Sequence, residues 1–185
     1  AVLPKLPAKQ AQDIAQAVFE WVTISSNTNQ SAKYYLSLKP PYRPRHAPFF
    51  NVSELRLVKG VTPEIFAALQ PYIAALPPTT TLNVQTVLPA AMVTLSNSMT
   101  LGAATVVENI RHQAPFVSVD AFMNVDVIKN HHIGKDKLTD VSDYFLVETK
   151  VSIEKQVTVI YTLLKRMVKD KQVIVNIVWQ SKGSW

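Results

Sequence analysis

The sequence has no cysteine, and it has only four glycines among its 185 residues. Without cysteine the protein has no disulfide framework, no thiolate metal site and no cysteine nucleophile. Phosphate-binding loops and Gly-x-Ser-x-Gly nucleophile motifs need glycine at fixed positions, and neither motif is present. No apolar run approaches the roughly 18–20 residues of a membrane-spanning helix, and no signal peptide is visible. These absences predict a protein that is not an enzyme.

The residues that most often bind metals or transfer protons are few and scattered. None of the four histidines, which include the pair His131-His132, lies in a motif spacing. That pair precedes Gly134, and we interpret it as part of a solvated loop rather than as a metal site. Asp140 and Asp143 are better explained as the polar start of a strand than as cation ligands. We predict no catalytic, cofactor-binding or metal-binding residues.

Charge and hydrophobic content set the broad class. The formal net charge is +6 and the pI is about 9.5, which permits an anionic partner. The 19 basic residues are spread along the chain without a run of five, as on a mildly basic surface. Hydrophobic residues make up 48% of the chain, enough for a packed core.

The chain is organised around a predicted helix–hairpin–helix unit within residues 42–95. Asn51 or Ser53 can cap a short first helix, and Gly60 suits the positive φ of its C-terminal turn. Thr62-Pro63 is a typical start for the second helix, which we expect to end at Pro77-Pro78. Its apolar stripe has the spacing of a helix and consists of Ile65, Leu69, Tyr72, Ile73 and Leu76.

Other helices are predicted on both sides of this unit. The first runs from Ala8 to about Thr23, with Ile14, Ala17, Val18 and Trp21 as its apolar stripe. Residues 24–31 are predicted to form a loop, and an irregular proline-rich stretch begins at Tyr34-Tyr35. The remaining predicted helices are Asn83 to about Leu95, with Pro89 allowed only in its first turn or at a kink, Leu101 to Gln113, and a short helix capped by Ser118 that reaches Phe122.

From about Asp140 the apolar period changes from 3.6 to 2. The alternating runs are Phe145 to Ile153, Val157 to Leu163, and Val173 to Trp179. They predict an antiparallel meander of three strands. Such a sheet needs a cover, from the helical part, from an absent N-terminal segment or from another chain. We therefore predict an α+β fold, with a helical domain over residues 1–137 and an antiparallel β part over residues 138–185.

The helix–hairpin–helix pattern leaves a nucleic-acid-binding module open as an alternative. The segment Leu57 to Thr62 resembles a hairpin whose backbone amides grip a DNA phosphate. A second hairpin has Asn97-Ser98-Met99-Thr100 in place of a glycine pair. DNA binding would require basic residues to converge on one face. The residues to test are Lys33, Arg56, Lys59 and Arg111.

The sequence resembles the type II secretion system protein K family. The matching features are Trp21, Tyr34-Tyr35, Pro41-Tyr42-Arg43, the run from Ser53 to Gly60, Leu76-Pro77, Leu82-Asn83-Val84 with Thr86, the run from Arg111 to Phe122, and Arg166. The resemblance covers roughly residues 10–165. It implies a pseudopilin-type antiparallel sheet interrupted by a large helical domain of the helix–hairpin–helix or SAM-like kind.

The resemblance also implies a function, which we state as an expectation. Members are minor pseudopilins at the tip of the pseudopilus, where they cap and prime it for export of folded proteins across the outer membrane. Their expected partners are the minor pseudopilins I and J, with secreted cargo as a second class, and no nucleic acid is expected. They lie in the periplasm, anchored in the bacterial inner membrane by an N-terminal helix that we expect to precede Ala1.

One departure from the family concerns calcium. Members usually carry an acidic Trp-x-Asp-x-Asp stretch and a Gly-Ala-Glu-Asp run before the paired tyrosines. Here Thr23 and Ser25 replace the aspartates, and Ser31-Ala32-Lys33 replaces the acidic run. Because calcium prefers several carboxylate oxygens, we expect the site to be lost and the protein to have no cofactor. We expect side-chain hydrogen bonds of Ser25, Asn27 and Asn29 to hold the loop instead.

Overall fold

The computed structural model describes residues 6–23 and 28–183, with the backbone alone for residues 28–31. The chain divides into two compact units, residues 1–78 and residues 79–185. Helices fill the first unit, whereas the second contains helices followed by a three-stranded sheet. The structure thus has the predicted α+β fold. The proposed division at residue 137, which follows secondary structure rather than compactness, stays a prediction.

The first unit begins with α1 (Ala8–Val22) and α2 (Thr28–Leu36). The prediction for α1 is confirmed, and Ile14, Ala17 and Trp21 are buried. The prediction of a loop up to residue 31 is wrong, because α2 begins at Thr28, and the predicted irregular proline-rich stretch begins after Leu36 rather than at Tyr34. The ring of Tyr35 packs edge-on against Trp21, with 5.4 Å between centroids. This tertiary contact outweighs the weak helix propensity of the Ser- and Asn-rich sequence.

The central helix–hairpin–helix unit forms with the predicted caps. A 3₁₀ helix, Val52–Leu57, begins with a capping box in which Asn51 Oδ1 accepts from the Ser53 amide at 2.8 Å and Glu54 Oε1 accepts from the Asn51 amide at 3.2 Å. Gly60 has a φ of +85°. α3 (Pro63–Leu69) follows, and Thr62 Oγ1 accepts from the amide of its third residue.

The second helix of this unit is shorter than predicted. α3 gives way to a 3₁₀ turn, Gln70–Tyr72, so the expected continuation to Leu76 is wrong. Pro71 explains the difference, because it has no amide hydrogen and its ring would clash with an α-helical carbonyl one turn earlier. Only Ile65 of the predicted stripe is fully buried, together with its neighbour Phe66.

The helical part of the second unit surrounds an apolar core. Its helices are α4 (Pro89–Met92), a 3₁₀ turn (Val93–Leu95), α5 (Leu101–Gln113), α6 (Val119–Met123), α7 (Asp126–Lys129) and a second 3₁₀ turn (Lys135–Lys137). The predictions for α5 and for the Ser118 cap of α6 are confirmed. The core residues include Val84, Met92, Met99, Ala104, Val107, Phe116, Phe122, Ile128 and Leu138.

The predicted helix start at Asn83 is wrong. Leu82–Asn83 is a short strand, β1, which pairs in parallel with β2 (Leu138–Thr139). The side chain of Asn83 still accepts a hydrogen bond from the backbone, because its Oδ1 accepts from the Gln85 amide at 2.8 Å. This bond stabilises a turn rather than the start of a helix. The helix begins instead at Pro89, which occupies the first position, where its missing amide hydrogen costs nothing.

The C-terminal sheet is the predicted antiparallel meander. Its strands are β3 (Tyr144–Ile153), β4 (Gln156–Lys169) and β5 (Gln172–Lys182), in the order β3-β4-β5. Asp170 and Lys171 form the tight turn between β4 and β5 with φ values of 51° and 64°. A bulge at Leu163/Leu164 shifts the register between β4 and β5 and leaves Val178 between paired residues.

None of the helices in the described ranges 6–23 and 28–183 is long and apolar enough to cross a membrane.

Candidate assembly surface

One face of the β3-β4-β5 sheet is apolar and exposed. Directly paired residues share a face, so the register assigns each side chain to one side of the sheet. Phe145 pairs with Leu164, which pairs in turn with Ile177, and these three define the face. We call it the exposed apolar face. Its large exposed side chains are Phe145, Val147, Val151, Ile153, Val168, Val173, Val175 and Ile177.

The exposure of these side chains is substantial. It ranges from 39% for Val147 to 69% for Ile153 and Val168. The only ionisable residues that the register places on this face within the strands are Arg166 and Lys182. The Arg166 guanidinium lies 3.8 Å from the Asp143 carboxylate. Several large exposed apolar side chains on one face are typical of a site of protein or membrane interaction.

The opposite face of the sheet is mixed. Glu148 and Lys150 of β3 lie on it, beside Tyr161 and Val159 of β4. The alternating apolar residues of β4, from Val157 to Leu163, therefore point away from the exposed apolar face. Leu163 is 6% exposed, and its neighbours Tyr161, Lys165 and Trp179 on this face are partly buried. The contrast between the two faces makes the apolar one the stronger candidate for assembly.

The exposed apolar face suits binding to a partner through burial of apolar side chains rather than catalysis. Its large exposed side chains are aliphatic or aromatic, and of its polar side chains Gln180 donates to Thr162 Oγ1 at 2.9 Å within the sheet. Complete burial of one large aliphatic or aromatic side chain is worth about 1.5–3 kcal/mol relative to full exposure. A partner that covered several half-exposed residues would therefore gain substantial binding free energy.

Of the four basic residues tested for DNA binding, Lys33, Arg56 and Lys59 are exposed, but Arg111 is not available to an exposed cationic face. Arg111 is buried, and its Nη1 donates to the carbonyls of Val84 and Val87 at 3.1 and 2.9 Å. Arg56 lies over the ring of Phe66, with 4.3 Å from Cζ to the centroid. Lys59 lies over the ring of Tyr34, with 4.8 Å from Nζ to the centroid.

Two backbone amides of the hairpin at Gly60 donate hydrogen bonds within the protein. The Lys59 amide donates to Tyr35 Oη at 3.2 Å, and the Val61 amide donates to the Val58 carbonyl at 3.1 Å. These groups are therefore engaged within the protein rather than directed at a phosphate. The geometry does not support the DNA-binding alternative.

Two of the four histidines form hydrogen bonds to residues distant in sequence. His131 Nδ1 lies 2.8 Å from Ser98 Oγ, and His46 Nδ1 lies 3.1 Å from the Thr23 carbonyl. Across the part of the chain that the structure describes, no three His, Cys, Asp or Glu side chains are grouped to hold a metal ion. The hydrogen bonds expected from Ser25, Asn27 and the side chain of Asn29 lie outside the described residues.

Comparisons with known proteins identify relatives of this chain. Residues 3–78 match the family model described as type II secretion system (T2SS), protein K. Type II secretion system protein K of Pectobacterium carotovorum subsp. carotovorum is 23% identical over 154 residues, which is 78% of this chain and 47% of the relative. The protein K of Aeromonas hydrophila is 32% identical over 85 residues, 43% of this chain and 26% of the relative.

The fold has a solved counterpart. A chain in the crystal structure of the GspK–GspI–GspJ complex from the enterotoxigenic Escherichia coli type 2 secretion system aligns with 97% of this chain and a TM-score of 0.74. The sequence identity is 20%, and 66% of that chain is covered. The present chain spans about half the length of the Pectobacterium relative. The matches in sequence and fold agree with the resemblance of the helix–hairpin–helix segment: residues 3–78 match the type II secretion system protein K family, and most of the chain is similar to a protein K sequence.

Proposed function

We propose that this chain is the globular part of a minor pseudopilin that caps and primes the pseudopilus of a type II secretion system. In this role it supports the export of folded proteins across the outer membrane and catalyses no reaction. The observation that carries the proposal is the exposed apolar face of the β3-β4-β5 sheet. A structural subunit needs such a surface, because burial of apolar area is the main source of stable association.

The proposed mechanism is assembly: a neighbouring subunit or segment buries the exposed apolar face of this subunit, which lies at the end of the pseudopilus. Residues such as Val151 and Ile177 are 42% and 66% exposed, and a neighbouring subunit or segment that covers them removes that area from water. The sheet follows helical units that occupy most of the chain. A subunit that has a large helical part in addition to its sheet would obstruct the addition of another subunit above it, which favours a position at the tip.

The partners and location follow from the family. We propose the minor pseudopilins I and J as partners, supported by the solved complex in which the structural relative occurs with GspI and GspJ. Secreted cargo is a second class of partner in this proposal. We place the protein in the periplasm, anchored in the inner membrane through a segment outside this chain. No cofactor is required for this role.

A capture experiment tests the proposal. The chain is immobilised and exposed to purified minor pseudopilins I and J, and separately to a short DNA duplex, at about 150 mM salt, where nonspecific DNA binding is weak. A Val151→Lys variant places a charge on the exposed apolar face. A Val117→Lys variant is the matched control, because Val117 is 89% exposed and lies in the loop before α6.

We expect the unmodified chain and Val117→Lys to retain the two pseudopilins, and Val151→Lys to lose them. Circular dichroism and thermal unfolding establish that the variants are folded. Salt-sensitive capture of DNA without capture of the pseudopilins would overturn the proposal. Equal capture by both lysine variants would show that the exposed apolar face is not the assembly surface.

A further inference from the structure

The outer edge of β5 is the second feature of the sheet that suggests a partner. β5 pairs with β4 on one side, and within the described residues no strand pairs with its other side. The amide and carbonyl groups that point outward from an edge strand are a template for pairing with another chain. Over Gln172 to Ile177 the strand keeps a regular register with β4, before the bulge at Val178.

This edge has little of the protection that most edge strands carry. Between Lys171 and Lys182 the sequence contains neither a charged residue nor a proline. Native edges are usually blocked by such residues. The opposite edge strand, β3, has Glu148 and Lys150 in its middle. β5 is therefore the edge that is open to strand addition.

The side chains of β5 are exposed on both faces of the sheet. Val173, Val175 and Ile177 are 63%, 55% and 66% exposed on the exposed apolar face. Ile174 is 37% exposed on the opposite face. An added strand would pair with the free backbone groups and would place its own side chains beside these four, so that it would gain hydrogen bonds and apolar contacts together.

The charges at the ends of β5 select the kind of strand. The turn before β5 carries Lys169, Asp170 and Lys171, a net charge of +1, and Lys182 lies at the other end. A strand with acidic residues at its ends would meet opposite charge at both. A second copy of β5 lacks acidic residues within the strand and would bring lysines of its own. Charge complementarity thus favours a different chain over a self-pair.

We propose that the outer edge of β5 accepts an extended segment of another protein, with apolar residues at alternate positions and acidic residues at its ends. The segment becomes a fourth strand of the sheet. The inference rests on the proposed function, since a neighbouring subunit of the assembly would supply the segment. It extends that function by separating backbone pairing at the β5 edge from burial on the exposed apolar face.

Synthetic peptides test the edge without any pseudopilin. One peptide has the length of β5, with valine and threonine in alternation and aspartate at each end, and a matched peptide has lysine at each end. Hydrogen exchange of the chain is followed by mass spectrometry. We expect the aspartate peptide to slow exchange in residues 172–182 and not in residues 144–153. The lysine peptide should bind roughly tenfold more weakly, and the difference should shrink in high salt.

Two variants separate the edge from the apolar face. Ile174→Lys puts a charge on β5 on the opposite face of the sheet, and we expect it to abolish the protection. Leu146→Lys is the matched control on the same face of β3, where the side chain is 40% exposed, and it should keep the protection. If a variant fails to fold, the comparison of the two peptides on the unmodified chain still decides the question.

Several results would overturn the inference. They are protection by neither peptide, equal protection by both, protection confined to residues 144–153, and protection of residues 172–182 that grows with protein concentration when no peptide is present. The last result would identify a second copy as the partner. None of these results depends on the minor pseudopilins, so failure here is distinct from failure of the capture experiment.

Discussion

Gly60 lies so close to Ile14 that a Cβ atom built on the glycine would be 3.1 Å from Ile14 Cγ1. The φ of Gly60 is +85°, a conformation that residues with a side chain rarely adopt. The turn before α3 therefore packs directly onto the buried stripe of α1. The contact between the helix–hairpin–helix unit and α1 therefore depends on glycine at position 60.

We expect Gly60→Ala to lower the free energy of unfolding by about 1–3 kcal/mol, from backbone strain and the tight contact with Ile14. Urea denaturation measures this change. Gly102→Ala is the matched control. Gly102 lies in α5, where an added Cβ would come no closer than 3.9 Å to Thr100 Oγ1, so alanine should stabilise the helix by up to about 1 kcal/mol. Equal effects of the two changes would contradict the assigned role of Gly60.

The buried Arg111 is predicted to be a structural residue. The Arg111→Met substitution removes the group that donates hydrogen bonds to the carbonyls of Val84 and Val87. We expect it to lower the free energy of unfolding by about 1–3 kcal/mol. The neighbouring His112 is exposed, and His112→Ala should change stability by less than about 0.5 kcal/mol. Chemical denaturation distinguishes the two. An Arg111→Met variant as stable as the unmodified chain would refute the structural assignment.

Stability should fall at high pH because of Tyr35. Burial raises the pKa of Tyr35 above its ordinary value of 10.0, although the hydrogen bond from the Lys59 amide opposes the shift. The unfolded chain thus loses this proton at lower pH than the folded chain does. The stabilisation is complete below pH 10 and is lost as the pH rises through the folded pKa.

Urea denaturation on both sides of pH 10 measures the decline, and Tyr35→Phe should make it shallower. The decline should not vanish, because burial also raises the pKa of Tyr42. The variant should also lose about 1 kcal/mol at neutral pH, since the Lys59 amide loses its acceptor. A decline of unchanged steepness in the variant would assign the effect to other groups.

Sequence reasoning succeeded where the signal is local. The caps at Asn51, Thr62 and Ser118 each serve an amide two or three residues away, so the residue type and its position suffice to predict them. The strands of the sheet follow from the period-two pattern in the same way. The predicted cover over the sheet stays a prediction.

The failures involve contacts between distant residues. α2 depends on the packing of Tyr35 against Trp21, and β1 depends on pairing with β2 more than fifty residues later. Strand register decides on which side of the sheet Val157 to Leu163 lie. The alternation of apolar and polar residues does not by itself fix that register. The resemblance to protein K indicated the family from local motifs. It could not indicate that Arg111 is buried, because its carbonyl partners lie 24 and 27 residues away.

The last prediction concerns calcium. Thr23 and Ser25 stand where family members usually have aspartates, and Lys33 replaces an acidic residue in the following run. Hydroxyls bind calcium less well than carboxylates, and an ammonium group repels it. A ligand that binds only the folded state raises the melting temperature, so added calcium should leave that of this chain unchanged relative to a chelator.

A combined Thr23→Asp, Ser25→Asp and Lys33→Glu variant is the informative comparison. It restores three acidic side chains, and we expect its melting temperature to rise with calcium and to return to the starting value when a chelator is added. Magnesium at the same concentration controls for general ionic effects, because its smaller, more rigid coordination shell suits flexible protein sites poorly. Calcium-dependent stabilisation of the unmodified chain would show that the site persists without the acidic residues. Its absence in both chains would show that these three positions are not sufficient to restore a site.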